Sequence, residues 1–549
     1  MNNCDKIYVY AIICERTIIL KKLFSKTLSI ILSIIIAFSV AAVCIPAAVA
    51  DDAPGTDIPL IYVCGQGTPL YKADENGQTV QIYPPTLPEG FIEDAVKENI
   101  GLFAKSVFTQ KWTDFGNALS DILSELYGPL ALDENGNTTD GSWHYNSNQS
   151  NCVDGSRVNG KYPTERFTFF YDFRLDPLKV ADELHEYIEA VVAATGEKEV
   201  ALLGRCLGGC ITTAYMEKYD GEYVSELIYY CGAQNGATVV SKLFSGNVYL
   251  DADGINRFVY DFQLSADQVT DELIKAFVTL FNDTYGLDLT CWAVNNVWED
   301  IYLDIMPQVF IKTFGTWPGY WSMVDDNDYQ RAKNNVFHNA DMEKYSNFIS
   351  IIDNYHYNIQ CRIPEILKKF EARGVEISNV SKYGYQAIPL NAPSDLISDN
   401  TCQLEEASMG ATVASLNSTF SDEYVAAAQA NGTAKYIAPD RQVDASTCLF
   451  PETTWFIKNI QHKDFPTDMN LLFDAIINTD GMTVDTNPLY PQFMVYENGA
   501  IVPMCSENHD TTQRYNVSFW DALKIFVRNL GKIIKNLIET KLTSAEVTA

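Results

Sequence analysis

The stretch VALLGRCLGGCITTAYM, residues 200–216, decides the fold of this chain. Its apolar start is typical of a short buried strand, and the residues after Cys206 have the apolar spacing of a helix. Gly204 and Gly208 stand two residues either side of Cys206, where larger side chains would collide in a sharp strand-to-helix turn. The pattern predicts a nucleophile at Cys206. The alternative is a glycine-rich turn that holds a buried cysteine.

The flanking sequence repeats a strand–helix alternation. Apolar runs at 57–64, 166–171 and 225–231 read as strands, and the apolar face of residues 184–192 reads as a helix that stops at Gly196. Short connections between alternating strands and helices are typical of a parallel sheet with right-handed crossovers. The sequence therefore predicts an α/β fold with a doubly wound, mostly parallel sheet.

Composition and charge exclude some functions. The chain has 549 residues, of which 47% are hydrophobic, and its formal net charge is −32. Nucleic-acid binding requires clustered Lys and Arg to neutralise phosphates, so this class is excluded. The acidic excess is typical of a solvated surface on a secreted protein.

The first fifty residues differ from the rest. Three lysines, at positions 21, 22 and 26, precede the apolar run 28–50, which ends in Ala-Val-Ala before Asp51. A basic segment, an apolar segment and a small-x-small site predict a signal peptide and export, with cleavage after Ala50. An uncleaved anchor is the alternative.

Cysteine spacing bears on metal sites and disulfides. Ten of the thirteen cysteines follow residue 50, and none forms a CxxC pair. The missing CxxC speaks against a zinc site, so we predict neither a metal nor a cofactor. An exported chain can form disulfides, but their pairing does not follow from the sequence.

Several segments together resemble a known family. YDFRLDP at 171–177, the glycine-rich turn at 204–209 and GTWPGYW at 315–321 are similar to segments of the lipase and lecithin:cholesterol acyltransferase-like branch of the α/β-hydrolases. That branch carries Gly-His-Ser-x-Gly-Gly at its nucleophile turn. Here Arg205 replaces the histidine and Cys206 replaces the serine.

The resemblance implies an α/β-hydrolase fold with a large, mainly helical cap. It also implies that the backbone N–H groups of Gln66 and Leu207 form an oxyanion hole. The segment 240–370 lacks the strand–helix alternation and is rich in aromatic residues, as expected for a cap over an apolar substrate or for a cap core. The expected organisation is a signal peptide at 1–50, a first core segment at 51–240, a cap at 241–370, a second core segment at 371–515 and a C-terminal helix and tail at 516–549.

A nucleophile on such a turn needs a histidine base that follows it in the chain. His462 ends the segment 453–462, which reads as the last strand, and a helical segment follows it. His509 is the alternative base, although it has only a loop around it. Chain order or location in the cap segment excludes the other histidines, His144, His185, His338 and His356.

The acid that orients the base is expected after the strand at 375–383. Asp399 has that position, just before a predicted helix at 405–416. Asp440 and Asp444 compete because they are nearer to His462 in sequence. Asp480 would be the partner if His509 were the base.

The sequence therefore predicts an exported ester or thioester hydrolase, or an acyltransferase, with a Cys206–His462–Asp399 triad and a small or lipid-like acyl substrate. Arg205 is a candidate for lowering the pKa of the thiol. Two alternatives stay open: a catalytically inactive cell-surface binding protein, and a hydrolase of small soluble substrates. A basic amphipathic helix at 520–542 either contacts an anionic membrane surface or docks on the protein.

Overall fold

The computed structural model describes residues 55–85, 98–99, 101–102, 105–106, 109, 111, 113–139, 141–144, 153–261, 268–390, 396–505, 517–530 and 532. The predicted signal peptide, His509 and the end of the C-terminal helix lie outside the described residues. Residues 519–530 are helical. No helix among the described residues is both long and apolar enough to span a bilayer.

The strands of the described chain are β1 (Gly55–Thr56), β2 (Leu60–Val63), β3 (Leu70–Ala73), β4 (Thr79–Tyr83), β5 (Tyr162–Pro163), β6 (Phe167–Phe169), β7 (Val200–Arg205), β8 (Val224–Tyr230), β9 (Glu376–Tyr383), β10 (Tyr385–Gln386), β11 (Ile397–Ser398), β12 (Thr412–Val413), β13 (Val443–Asp444), β14 (Thr454–Lys458), β15 (Phe493–Glu497) and β16 (Ala500–Pro503).

Its helices are α1 (Thr113–Tyr127), α2 (Pro177–Thr195), α3 (Leu207–Lys218), α4 (Thr238–Ser245), α5 (Ala252–Asp261), α6 (Gln268–Asp283), α7 (Gly286–Lys312), α8 (Pro318–Trp321), α9 (Asp326–Val336), α10 (Ser346–Asn358), α11 (Ile363–Glu371), α12 (Leu404–Ala407), α13 (Asp422–Asn431) and α14 (Thr467–Ile477).

The main sheet has eight strands in the order β16-β15-β14-β9-β8-β7-β2-β6 and is mostly parallel. Its one antiparallel pair in the described register is β15 with β16, at one edge. The predicted α/β class with a mostly parallel sheet is confirmed. The described residues divide into two compact units: those up to 236, 244–246 and 297–377 form the first, and those at 237–243, 247–296 and from 378 onward form the second.

In the first unit the order of the strands reverses beside β2. This strand pairs in parallel with β6 on one side and with β7 on the other, although β6 precedes β7 in the chain. Such a reversal leaves a crevice at the carboxyl ends of the two diverging strands, where open α/β sheets bind their ligands. The residues that follow β2 and β7, Gly65 and Cys206, therefore stand at the edge favoured for a site.

Helix α2 shows how local chemistry sets the ends of these elements. The Asp176 side chain accepts a hydrogen bond from the Leu178 N–H at the first turn. Gly196 ends the helix in a left-handed conformation, with φ of 75°, and its N–H donates to the Val192 carbonyl. The predicted stop at Gly196 is confirmed because this backbone geometry is one that glycine adopts without a Cβ penalty.

Two predictions for the second unit are wrong. The segment 405–416 is not one helix: α12 ends at Ala407, and Met409 and Gly410 then take positive φ values, which turn the chain toward β12. The segment that ends at His462 is also not the last strand. Strand β14 lies between β9 and β15, because the short apolar run at 493–497 adds a further parallel strand.

Helices α4–α11 make up the described chain between β8 and β9. The buried aromatic residues of this segment include Tyr302, Trp317, Tyr320 and Trp321. Tyr285 and Trp292 are exposed. Most of these rings therefore belong to a core. No disulfide joins the described cysteines.

Candidate active site

Cys206 occupies a strained turn between β7 and α3. Its φ is 52° and its ψ is −123°, a combination that L-residues with a side chain rarely adopt. Such backbone strain costs of order 1–3 kcal/mol and clusters at functional sites. Cys206 is the residue directly before the first turn of α3, and it is 7% exposed.

The two flanking glycines are required by close packing inside this turn. A Cβ on Gly204 would lie 2.6 Å from the Thr212 hydroxyl and 2.8 Å from the Gly208 carbonyl oxygen. A Cβ on Gly208 would lie 2.3 Å from the Val63 carbonyl oxygen, on β2. Helix α3 therefore starts against the end of β2. This contact brings the turn after β7 close to the loop after β2, at the point where the strand order reverses.

The loop after β2 contacts Cys206 directly. A Cβ on Gly65 would lie 2.8 Å from the Cys206 Cβ and 3.6 Å from its Sγ. The next residue, Gln66, is buried. Leu207 begins α3, where the first N–H groups of a helix have no acceptor within the helix. Of the two predicted oxyanion donors, Leu207 directly follows Cys206 in the chain, and Gln66 directly follows Gly65, whose position contacts Cys206.

The Gln66 side chain links this loop to two tyrosines. Its amide nitrogen donates to the Tyr83 hydroxyl at 3.1 Å and to the Tyr320 hydroxyl at 2.5 Å. Burial raises the pKa of Tyr320 well above its ordinary value, and the neighbouring Tyr83 and Cys206 add to the increase. Tyr320 is therefore a neutral phenol next to the cysteine. This amide–tyrosine cluster was not predicted from the sequence.

Arg205 contacts the strands on either side of β7. Its guanidinium donates to the Tyr62 hydroxyl at 3.2 Å, and it lies 5.8 Å from the centroid of the Tyr230 ring. Arg205 is 5% exposed. These contacts account for a buried arginine at the position before Cys206.

The second unit contains a buried His–Asp pair. His462 Nδ1 lies 2.7 Å from Asp399 Oδ2, and the His462 backbone N–H donates to the Asp399 carbonyl oxygen at 2.7 Å. The Asp399 carboxylate also accepts from the N–H groups of Thr401 and Cys402. These contacts hold Nδ1 as the donor, so that in the neutral ring Nε2 is the nitrogen that carries a lone pair.

Burial raises the pKa of Asp399, but His462, Lys382 and the Cys402 N–H outweigh it and hold that pKa below its ordinary value. The carboxyl is therefore ionised at neutral pH. A permanent negative charge at Nδ1 favours the imidazolium that a proton-accepting histidine becomes.

Lys382 fixes the loop that carries His462. Its Nζ donates to the carbonyl oxygens of Gln461 and His462 at 2.8 Å each and to that of Asp464 at 3.2 Å. Lys382 is 1% exposed and lies at the end of β9. Lys382 was not predicted from the sequence, although a lysine within a buried strand is itself a signal of a specific partner.

The competing carboxylates have other partners. Asp440 pairs with the Lys458 ammonium at 2.8 Å and accepts from the Tyr383 hydroxyl. Asp444 accepts from the Tyr424 hydroxyl and from the Ser446 N–H. Asp480 lies in an exposed turn after α14, and its proposed partner His509 lies outside the described residues. Of the candidate acids, Asp399 is the one that the structure brings to His462.

Each half of the predicted triad is thus built in its own unit: Cys206 in the first, and Asp399 with His462 in the second. No protein-family model and no curated protein sequence matches the chain.

Proposed function

We propose that this protein is an acyl hydrolase or acyltransferase of the α/β-hydrolase type, with Cys206 as its nucleophile. The observation that carries the proposal is the strained backbone of Cys206, with φ of 52°, at the strand-order reversal and in contact with Gly65. A structural cysteine needs neither the strain nor the glycines. A nucleophile needs both, because the tight turn lifts its side chain above the sheet edge.

The His462–Asp399 pair supports the same function. Nucleophile, acid and histidine occur in the chain in the order 206, 399, 462, which is the order of α/β-hydrolase triads. A histidine whose Nδ1 is held by a buried carboxylate is prepared to accept a proton at Nε2. The proposal requires His462 Nε2 to reach the Cys206 thiol.

The proposed reaction begins when His462 Nε2 takes the thiol proton of Cys206. The thiolate then attacks the carbonyl carbon of an ester or thioester; a C–S bond forms and the carbonyl electron pair moves to oxygen. The N–H groups of Gln66 and Leu207 stabilise this oxyanion, a contribution of about 3–4 kcal/mol for one donor in enzymes where it was measured. The intermediate collapses, the leaving group departs, and it takes the proton from His462.

The second half of the reaction releases the acyl group. Water, or an alcohol in the transfer reaction, gives its proton to His462 and attacks the acyl-thioenzyme. The C–S bond breaks, the acid or new ester leaves, and the protonated His462 returns its proton to the Cys206 thiolate. Tyr83 and Tyr320, joined by Gln66 beside the nucleophile, favour an apolar or lipid-like acyl chain. We further propose that the chain is exported by its first fifty residues.

The test uses purified protein and a series of chromogenic esters and thioesters of increasing acyl length. Cys206→Ala is expected to lower kcat/KM at least about 1,000-fold, as loss of a triad nucleophile does. Iodoacetamide is expected to abolish turnover and to label Cys206. Cys505→Ser, which removes an exposed cysteine, is the control and should keep full activity.

Turnover that survives both Cys206→Ala and alkylation would refute the proposed nucleophile. Absence of turnover on every ester and thioester, with Cys206 unreactive toward iodoacetamide, would refute the enzyme and favour the cell-surface binding protein instead.

A further inference from the structure

Three potential metal ligands meet away from Cys206 and within the first unit. Asp326 is the first residue of α9, His356 lies near the end of α10, and Cys361 follows in the next short turn. His356 Nε2 lies 3.2 Å from Asp326 Oδ1 and 3.5 Å from Cys361 Sγ. Cys361 Sγ lies 3.5 Å from the same carboxylate oxygen. The three atoms form a small, nearly regular triangle.

The size of this triangle fits a tetrahedral zinc ion. Zinc bonds of about 2.0 Å to nitrogen and oxygen and about 2.3 Å to sulfur place tetrahedral ligand atoms about 3.3–3.6 Å apart. The three observed separations, 3.2, 3.5 and 3.5 Å, agree with these edges. Thiolate, imidazole and carboxylate are also the mixture of ligands that zinc accepts.

The tautomer of His356 follows from its other neighbours. The Gln360 side chain faces the Ser322 carbonyl oxygen at 2.9 Å. Since a carbonyl oxygen can only accept a hydrogen bond, the atom of Gln360 that faces it is the amide nitrogen. The Gln360 Oε1 therefore faces His356 Nδ1, at 2.7 Å, and Nδ1 must be the donor. In the neutral ring Nε2 then carries a lone pair, which is directed at the carboxylate of Asp326 and the sulfur of Cys361. A cation at this point satisfies all three.

The surroundings hold the histidine in place. The His356 ring stacks on Tyr329 with a centroid distance of 3.6 Å and an interplanar angle of 5°. Gln360 provides the outer hydrogen bond that metal-bound histidines make almost without exception. The His356 side chain is 1% exposed, whereas that of Asp326 is 77% exposed. The buried ligand is fixed, and the site remains open to solvent on the other side.

A second catalytic triad is excluded by the same geometry. In a triad the acid holds one ring nitrogen and the thiol approaches the other. Here Asp326 and Cys361 both face Nε2, while Gln360 occupies Nδ1. Three groups directed at one point are a ligand set.

We propose that Asp326, His356 and Cys361 bind one Zn²⁺ ion, with water in the fourth position. On binding, the Cys361 thiol loses its proton to solvent and the thiolate coordinates the metal. The ion would join the start of α9 to the end of α10. The CxxC criterion could not find this site, because its ligands are 30 and 5 residues apart.

The test loads the full chain, after removal of metals by a chelator, with Co²⁺ as a spectroscopic probe and with Zn²⁺. We expect one metal ion per chain by elemental analysis and a thiolate-to-Co²⁺ charge-transfer band. Cys361→Ser should abolish the band and Asp326→Asn should weaken Zn²⁺ binding at least about 10-fold, the lower range for loss of a metal-supporting group. Zn²⁺ should also protect Cys361 from iodoacetamide, as measured by peptide mass spectrometry.

Cys505→Ser is the matched control, since Cys505 is another exposed cysteine, and should retain the band. A charge-transfer band that persists in Cys361→Ser would overturn the proposal. So would a chain that binds no Zn²⁺, or one in which Zn²⁺ leaves the alkylation rate of Cys361 unchanged. Both substitutions are at exposed positions, and circular dichroism of each variant checks that it is folded.

Discussion

His462 and Asp399 are joined twice, by a side-chain contact of 2.7 Å between Nδ1 and Oδ2 and by a backbone hydrogen bond of 2.7 Å. The backbone bond fixes the distance between the two loops, and the side-chain contact then fixes the ring. Such a double connection leaves the His462 ring little rotational freedom, which is what preorganisation for the proposed proton transfer requires.

Asp399→Asn is expected to lower kcat/KM about 100- to 10,000-fold, because the amide no longer favours the imidazolium or the required tautomer. Steady-state kinetics on the best ester measures this. Asp444→Asn, at another buried aspartate, is the control and should lower kcat/KM less than about 10-fold. Equal losses in the two variants would contradict the assignment of the acid.

The same substitution has a predicted effect on acid stability. The pKa of Asp399 lies below the ordinary 3.8 in the folded protein. Its stabilisation is therefore fully present above pH 3.8 and is lost as the pH falls through the lower folded value. Urea unfolding below pH 4 should show a smaller loss of unfolding free energy in Asp399→Asn than in the wild type. A parallel decline in both proteins would show that this carboxyl is not linked to stability.

Lys382→Met removes the donor to three backbone carbonyls in the loop that carries His462. We expect a loss of about 2–4 kcal/mol in unfolding free energy, since buried acceptors remain unpaired, and a fall in kcat larger than the change in KM. The control is Lys458→Met, which removes a buried ammonium that is bound to Asp440 and Gln442. It should destabilise the protein while the kcat of the folded fraction is retained. A Lys382→Met protein with unchanged kcat would contradict the positioning role.

Gly65→Ala tests the contact between the loop after β2 and Cys206. The new Cβ would lie 2.8 Å from that of Cys206, so one of the two segments must shift. We expect a loss of about 1–3 kcal/mol in stability and a fall in kcat/KM of about 100-fold, as for a displacement of about 1 Å at a reacting group. Gly128→Ala, whose nearest neighbour would be 3.9 Å away, should leave both quantities unchanged. Full activity in Gly65→Ala would show that the position of this loop does not affect the reaction.

Glu183, on α2, should make stability depend on pH near neutrality. Burial, with Asp172, Glu186 and Asp182 nearby, raises its pKa to about 7. The folded protein therefore binds a proton more tightly than the unfolded chain, and the free energy of unfolding falls as the pH rises from 4.5 to 7. Because a third of the side chain is exposed, we expect a difference of about 1 kcal/mol only. Glu183→Gln should remove this slope in urea unfolding; an unchanged slope would assign it to other groups.

The turn at Cys206 could be predicted from sequence because it is local. Gly204 and Gly208 contact one another and the adjacent strand. Because these contacts depend on a few neighbouring residues, the spacing of the two glycines around Cys206 is enough to predict the sharp turn. The end of α12 at Ala407 could not be predicted in this way. The apolar and small residues of the segment 405–416 favour a helix locally, whereas β12, within that segment, pairs with β13 about 30 residues further along the chain.

By itself, the sequence determined the parallel strand–helix alternation, the glycine-flanked turn at Cys206 and the end of α2 at Gly196. Each depends on backbone geometry and periodicity within one or two elements. Only the tertiary structure decided which carboxylate joins His462, because Asp399 is 63 residues away while Asp440 and Asp444 are nearer in the chain. It also decided that Asp326, His356 and Cys361 share one point. Contacts of this kind depend on which loops the sheet brings together, and chain distance carries no information about them.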